Sequence, residues 1–327
     1  MKILTLIDCS SVKSFYVKDK KAYEMKTDKP YIRNQSIGNE CFMSIFEYPF
    51  LNDGYYVTWD EWEELPELDV DVVLLSIEKR IGIYDTEQVR KKYPNALIIG
   101  VLKELAANHK NRVEFFKSCD TYVLPIIDEK LHDCYSRDVG IKSKFLAQPY
   151  DISFLHDRYY SEDRNNSIFS YIVPGEFVRF EYGDEIQQGT RRGNTESFAN
   201  EMGNKFNLPV LRTETKFESA TQWHDFLEIL SKQSFCFNLD PIQSTGQQAV
   251  QSAALGVINI GGNNDVQKFL YPSLSGVDLN QLETKFSELV NDVDKRIEIM
   301  KYAFDKAIET YSIDSVYKQI EKIVKEK

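Results

Sequence analysis

The sequence predicts an α/β protein built from two doubly wound parallel-sheet domains and a helical C-terminal tail. Three observations predict this fold class. Short continuous apolar runs recur along the chain, as in the strands of a parallel sheet that is buried on both faces. Segments with helical spacing lie between these runs, so that strand and helix alternate. One polar stretch interrupts the alternation, which then begins again.

The first half of the chain supplies six predicted strands and three predicted helices. Its first apolar run ends in a polar turn, and the segments DVVLLSI and ALIIGV are later runs of the same kind. Pro94 ends the helix that is predicted before it. The predicted strands cover residues 2–8, 55–59, 71–77, 96–101, 121–124 and 144–147, and the predicted helices cover residues 86–92, 111–118 and 129–135.

The second half begins after a polar segment, residues 156–166, which is predicted to link the two domains. The tail is predicted to be helical from residue 278, and four of its side chains lie roughly on one stripe: Ile297, Met300, Ala303 and Ile308. The predicted strands of this half cover residues 167–173, 209–213, 234–239 and 257–260, and its predicted helices cover residues 196–206, 220–231, 246–254 and 265–270.

These elements predict three parts. Residues 1–156 form an N-terminal domain, and residues 167–305 form a C-terminal domain. Residues 306–327 form a final helix that is expected to pack back toward the N-terminal domain. A length of 327 residues suits two domains of ordinary size.

Composition excludes several classes of protein. With 42% hydrophobic residues the chain can fill real cores, so wholesale disorder is excluded. No apolar run approaches the roughly 18 residues needed to span a membrane. The five cysteines are scattered without CxxC pairs, which indicates a reducing, cytoplasmic setting without a disulfide framework or a zinc cluster. The net charge of −11 argues against a broad nucleic-acid surface.

The most informative segment is residues 236–262, CFNLDPIQSTGQQAVQSAALGVINIGG. A strand leads through a polar loop into a helix that starts at Gly246, and the next strand ends in Gly261-Gly262. Ligands of open α/β sheets bind beyond the carboxyl ends of the strands. The N–H groups of a helix N-terminus can hold a diphosphate there, and glycine permits close approach. The alternative is ordinary βαβ packing, in which the small residues only let helix and sheet touch.

This segment resembles the nucleotide-sugar site of the retaining, group 1 glycosyltransferases of GT-B fold. That family has a Glu-x7-Glu pattern in a setting like E-G-F-G-L-x-x-L-E-A-x-A-x-G-x-P-V-I, which is similar to residues 243–258 here. The segment FLAQPYDISFL is similar to the family's interdomain segment, and residues 311–320 are similar to its ending. The resemblance covers nearly the whole chain and implies two Rossmann-like domains.

Both glutamates of the family pattern are glutamines in this chain, Gln243 and Gln251. In the family, the second glutamate grips the ribose and the first contacts the donor sugar. The resemblance therefore implies that Gln251, Ser244 and Thr245 bind the ribose and sugar, and that Gln243 stands at the catalytic position. Glutamine can still hydrogen-bond hydroxyls, but it lacks the charge that would stabilise a positive transition state.

Arginines are the expected partners of the donor diphosphate. The family places a basic pair near the first strand of its second domain, and the resemblance gives that role to Arg179 and Arg192, with Gly246 at the helix start. Guanidinium groups pair with phosphates through two parallel hydrogen bonds, which suits a leaving diphosphate. Arg191 belongs to the same cluster. The alternative is that these are solvated surface arginines.

In the first domain, the resemblance places Glu104 on the acceptor side as a candidate catalytic group, with Lys13 as a weaker candidate. The alternative for Glu104 is a surface pair with Lys103. The histidines at 132, 156 and 224 have no partner at metal-ligand spacing and are expected to be structural.

The resulting hypothesis is a metal-independent, retaining glycosyltransferase that uses a nucleotide-diphosphate sugar as donor and no other cofactor. Its acceptor is left open as a glycan, a small molecule, a protein or a modified DNA base. Two alternatives stand beside it. One is a GT-B-fold binding protein with weakened catalysis, which the two glutamines suggest. The other is a glycosyltransferase of the phage type that acts on DNA bases, which the acidic charge disfavours.

Overall fold

The computed structural model describes residues 1–7, 14–30, 52–77, 86–102, 109–172, 177–182, 185–190, 195–214, 220–239, 246–262 and 264–326. The chain divides into two compact units. Unit 1 consists of Met1–Tyr150, Phe180–Ile186 and Ile313–Lys327, and unit 2 consists of Asp151–Arg179 and Gln187–Ser312. No helix among the described residues is both long and apolar enough to cross a lipid bilayer.

Unit 1 contains an eight-stranded sheet in the order β3-β2-β4-β1-β5-β6-β7-β8. Strands β4, β1, β5, β6, β7 and β8 pair in parallel, whereas β2 pairs antiparallel with β3 and with β4. The strands are β1 (Ile3–Ile7), β2 (Phe15–Lys18), β3 (Lys21–Glu24), β4 (Tyr55–Thr58), β5 (Val72–Ile77), β6 (Leu97–Leu102), β7 (Thr121–Leu124) and β8 (Lys144–Phe145). The helices of this part of the chain are α1 (Trp59–Trp62), α2 (Thr86–Lys92), α3 (His109–Ser118) and α4 (Glu129–Val139).

The core of unit 1 forms along its central strands. Every residue of β1 and of β6 is buried, because apolar side chains project from both faces of a covered parallel sheet. Phe116 of α3 stacks on Tyr122 with ring centroids 4.7 Å apart and meets Tyr135 of α4 edge-on at 5.5 Å. These contacts fix α3 and α4 against the sheet.

Unit 2 contains a four-stranded parallel sheet in the order β12-β9-β13-β14. Its strands are β9 (Asn165–Ile172), β12 (Val210–Glu214), β13 (Gln233–Phe237) and β14 (Ile258–Ile260). Two further strands, β10 (Phe177–Tyr182) and β11 (Glu185–Thr190), pair with each other, and each is assigned partly to unit 1 and partly to unit 2. The helices are α5 (Ile152–Tyr159), α6 (Thr195–Phe206), α7 (Ala220–Ser231), α8 (Gln247–Leu255), α9 (Asp265–Leu270), α10 (Leu279–Asn291) and α11 (Val293–Tyr311).

The last helix, α12 (Ile313–Lys325), belongs to unit 1. Its apolar face buries Val316, Ile320 and Ile323, which lie at helical spacing. The Gln319 side-chain oxygen accepts a hydrogen bond from the backbone N–H of Ala147 at 3.0 Å. The helix is therefore part of the unit that begins the chain.

The predicted α/β class is confirmed, but one detail of the prediction is wrong and two features of the structure were not predicted. The polar segment predicted as a linker contains the second half of α5, because Ile152, Leu155 and Tyr159 recur at helical spacing and are buried. The stripe on the tail is covered only in part, since Ala303 is fully buried whereas Ile297 and Ile308 are 53% and 37% exposed. The hairpin of β2 and β3 was not predicted, because its turn residues Asp19 and Lys20 are not the usual Asn-Gly pair.

The thiols of Cys119 and Cys236 are expected to be unreactive in the folded protein. Burial raises the pKa of Cys119 to about 12, and burial also raises the pKa of Cys236. The reactive thiolate is therefore scarce at pH 8. We expect a thiol reagent to label neither residue until denaturant is added, as peptide mass spectrometry would show. Rapid labelling of either cysteine in the native protein would contradict this burial.

Candidate functional site

The candidate site lies at the carboxyl edge of the sheet in unit 2. Strands β13 and β14 end there, and helices α8 and α9 begin there. Gly246 immediately precedes α8 and has a left-handed backbone, with φ of 68°. A Cβ atom on this residue would lie 2.4 Å from Cβ of Val266, so only glycine fits. The N-terminus of α8 is thus held close to the start of α9.

A second glycine loop follows β14. Gly261 and Gly262 have φ values of 95° and 79°, and a Cβ atom on either residue would collide with Leu239 or Gln267. The loop is anchored because the Gly261 N–H donates to the carbonyl of Leu274 at 2.8 Å. At the two glycine segments the backbone carries no side chain. A ligand can therefore approach it closely at the carboxyl ends of neighbouring strands.

A buried network of side-chain amides supports both segments. Gln248 of α8 accepts hydrogen bonds from Asn238, at 3.2 Å, and from Asn259. Its own N–H donates to Ser252 at 3.1 Å. Gln267 of α9 donates to the Asn259 side-chain oxygen and, at 3.2 Å, to the Asn238 carbonyl. Because these buried polar groups satisfy one another, the network ties α8, α9 and the ends of both strands into one arrangement.

Gln251 lies on α8 close to the network and is 2% exposed. Among the residues that the structure describes, none shares a hydrogen bond with its side-chain amide. A carboxamide can donate to one hydroxyl and accept from another. The amide of Gln251 therefore has hydrogen-bonding capacity that the described residues do not use.

The electrostatics of α8 favour an anion at its N-terminus. The helix has no acidic residue in its first turn, so its own side chains do not neutralise the positive end of its dipole. The four N–H groups of that turn have no partner within the helix. A phosphate group would find both hydrogen-bond donors and a favourable potential at this position.

The structure brings two of the predicted site residues together, because Gly246 and Gln251 lie at the start and in the middle of the same helix. Arg179 lies in β10. Seven other predicted residues lie outside the described part of the chain: Lys13, Glu104, Arg191, Arg192, Gln243, Ser244 and Thr245.

Sequence reasoning missed the amide network. Gln248, Asn259 and Gln267 are spread over two helices and a strand, and only the parallel topology brings their side chains into contact. One signal was present in the sequence, since amide residues are unusually dense between residues 238 and 267. That density does not say which side chains point inward.

Among the described residues, no group of three or more His, Cys, Asp or Glu side chains could hold a metal ion. The histidines instead make structural contacts. His132 contacts Ser143 at 2.7 Å and the Ile126 carbonyl at 2.8 Å, and burial lowers its pKa. His156 contacts the Ala254 carbonyl at 3.0 Å.

The fold is similar to solved structures of glycosyltransferases over the whole chain. One is an α-glucosyltransferase in complex with UDP-glucose and DNA containing an abasic site, with 11% identity, a TM-score of 0.59 and 99% of each chain covered. Another is AviGT4, a glycosyltransferase involved in avilamycin A biosynthesis, with 10% identity, a TM-score of 0.56, and 99% of this chain and 97% of that chain covered. A third is Anabaena HepE in complex with UDP-glucose, with 8% identity, a TM-score of 0.54 and 100% of both chains covered.

These likenesses establish the class of fold. The chain has the two-domain α/β architecture of GT-B glycosyltransferases, with C-terminal helices. No protein-family model and no curated protein matches the sequence.

Proposed function

We propose that this protein is a glycosyltransferase that takes its sugar from a nucleotide-diphosphate donor bound at the carboxyl edge of the sheet in unit 2. The observation that carries the proposal is the start of α8, where Gly246, a first helical turn without acidic residues and the buried amide of Gln251 occur together. This combination supplies one partner for a diphosphate and one for the hydroxyls of a ribose.

In this proposal, three groups of residues bind the three parts of the donor. The N–H groups after Gly246 hold the diphosphate, with Arg179 and Arg192 neutralising its charge. Gln251 holds the ribose hydroxyls. Three residues that precede α8 in the sequence contact the donor sugar: Gln243, Ser244 and Thr245.

The proposed chemistry is metal-independent and retains the configuration of the sugar. In this proposal Gln243 faces the reacting sugar, and Glu104 is the candidate acid or base on the acceptor side. A neutral amide stabilises an oxocarbenium-like transition state less than a carboxylate does. The two arginines accordingly carry more of the catalytic effect, because they stabilise charge on the departing diphosphate.

The proposal is tested by measuring the binding of UDP and other nucleoside diphosphates by calorimetry and thermal shift. We expect at least one nucleoside diphosphate to raise the melting temperature, since a ligand that binds only the native state stabilises it. Gln251→Ala should weaken that binding roughly threefold to a hundredfold through the loss of one or two hydrogen bonds. Gln251→Glu should retain binding, because a carboxylate also accepts from hydroxyls.

Gln281→Ala is the matched control, since Gln281 is exposed near the start of α10 and far from α8 in sequence. It should bind like the unsubstituted protein. If no nucleoside diphosphate stabilises the protein at millimolar concentration, donor binding is refuted. If UDP binds but no sugar is transferred from UDP-sugars to any acceptor class, the protein is a binding protein of the same fold.

A second candidate is transfer of the sugar to a modified DNA base. It is favoured by one observation, the likeness to an α-glucosyltransferase solved with UDP and DNA containing an HMU base, at a TM-score of 0.59. DNA binding through phosphates should weaken steeply as salt rises. A duplex-binding assay at low and physiological salt therefore decides between this acceptor and an uncharged one, and no binding at low salt excludes DNA.

A further inference from the structure

A cavity of about 580 Å³ lies within unit 2, at the opposite edge of the sheet from the candidate site. Ser234 and Ile258, at the amino ends of β13 and β14, form its floor together with Gly256 after α8. Residues following α5 and one side of α11 form its walls. The cavity is therefore separate from the glycine segments, which lie at the carboxyl ends of the same strands.

Three cations and one carboxylate line this cavity, namely Arg164, Arg296, Lys301 and Glu162. Lys301 is paired with Asp305 at 2.6 Å. Among the described residues, neither arginine has a carboxylate partner within ion-pair distance. The cavity is thus locally cationic within a chain whose net charge is −11.

The two arginines are engaged to different degrees. Arg164 donates to the Leu255 carbonyl at 2.8 Å and to the Ser161 carbonyl at 2.6 Å, so it caps the negative end of α8. Arg296 makes one long hydrogen bond, 3.4 Å to the Asn166 side chain, and its guanidinium lies 5.7 Å from the centroid of the Phe235 ring. Its buried Nε atom has no hydrogen-bond partner among the described residues. Arg296 is therefore the cation that remains available to an anion.

The walls beside these cations are flat and apolar. The His156 ring lies 4.5 Å from the rings of both Tyr160 and Phe304. Val293 and Ile297 of α11 also line the cavity and are 56% and 53% exposed. A ligand with an aromatic or apolar body would cover them.

We propose that this cavity is a second binding site, which takes a small organic anion with a phosphate or carboxylate attached to an aromatic body. Arg296 binds the anionic group, and Tyr160, Phe304 and Ile297 contact the body. The volume suits a ligand of this kind, since small-molecule sites usually measure about 300–1,000 Å³. An isolated inorganic anion would leave the apolar walls exposed, and a neutral aromatic compound would leave Arg296 without a partner.

The test uses phenyl phosphate as the probe, with inorganic phosphate and phenol as the two partial ligands. Binding to the full-length protein is measured by calorimetry, with and without saturating UDP. We expect phenyl phosphate to bind at least tenfold more tightly than either partial ligand, and UDP to leave its affinity unchanged. Arg296→Gln should weaken binding about tenfold to a hundredfold through loss of a charged hydrogen bond. Ile297→Glu should weaken it at least as much by placing a carboxylate in the wall of the cavity.

Two control variants make the same chemical changes elsewhere. Arg137→Gln and Ile141→Glu alter exposed residues of unit 1, and both should bind phenyl phosphate normally. Circular dichroism and melting temperature verify that the Arg296 and Ile297 variants fold.

The proposal is overturned if phenyl phosphate does not bind at about 10 mM, or if inorganic phosphate or phenol binds equally well. It is also overturned if UDP displaces phenyl phosphate, because the probe would then occupy the donor site. Unchanged affinity in both folded variants overturns it too. Binding to the cavity is measured with phenyl phosphate, and binding to the donor site is measured with UDP. Either proposal can therefore be refuted while the other stands.

Discussion

Gly246→Ala is expected to abolish detectable binding of a nucleoside diphosphate and to destabilise unit 2 by about 2–5 kcal/mol. Two costs add up in this variant. The left-handed backbone at φ 68° disfavours any residue with a Cβ atom, and that atom would lie 2.4 Å from Val266. Relief of the collision must move the start of α8 away from α9. The N–H groups that would bind the diphosphate move with it, so affinity falls together with stability.

Gly140→Ala separates these two costs. Gly140 ends α4 with φ 80°, and nothing lies within 4 Å of the position where its Cβ atom would be. This control bears the backbone strain without the collision, so it should lose about 1–2 kcal/mol and bind UDP normally. Urea unfolding gives the stability of both variants, and calorimetry gives their UDP affinity. Normal UDP affinity in Gly246→Ala would show that the start of α8 does not hold the donor.

Phe286→Ala is expected to destabilise unit 2 by about 3–5 kcal/mol, the largest effect on stability that we expect from one core side chain. Phe286 of α10 is fully buried. Its ring meets those of Phe206, Phe235 and Phe237 edge-on, with centroids 5.4, 4.9 and 5.0 Å away. Truncation removes all three aromatic contacts at once and leaves a cavity between α10, α6 and β13.

The size of this loss is measured by urea unfolding followed by tryptophan fluorescence and circular dichroism. Phe286→Leu fills most of the cavity and should cost markedly less. Leu279→Ala, on the same helix at a residue that is 38% exposed, should change stability by less than about 1 kcal/mol. Equal losses of stability in Phe286→Ala and Leu279→Ala would contradict the conclusion that the aromatic cluster forms the core of unit 2.

The fold could be predicted from the sequence because most of its strands are buried on both faces. Val72 to Leu75 are apolar without interruption, and the same holds for β6 except at Gly100, so length and apolar content alone identify them as parallel strands. The hairpin of β2 and β3 lies at the edge of the sheet, where alternating burial leaves a weaker pattern. The prediction failed at α5 because the second half of the helix, residues 156–159, is polar except for Tyr159.

The candidate site could be predicted only in part. Gly246 and the Gly261-Gly262 pair are visible in the sequence, since glycines at the ends of apolar runs mark turns. The exposure of Ile297 could not be predicted, because helical spacing shows that a stripe exists and not what covers it. The contact of Asn259 with Gln248 depends on the parallel pairing of β13 and β14, which is a property of the folded sheet.

The placement of α12 has a consequence for how the protein is made. Residues 313–327 belong to unit 1, but a ribosome synthesises them only after all of unit 2. Until they emerge, unit 1 lacks the apolar side chains of Val316, Ile320 and Ile323 and the partner of the Ala147 N–H. Domains usually fold in the order in which they are synthesised. In this protein, the unit that starts first can be completed only after the other has been translated.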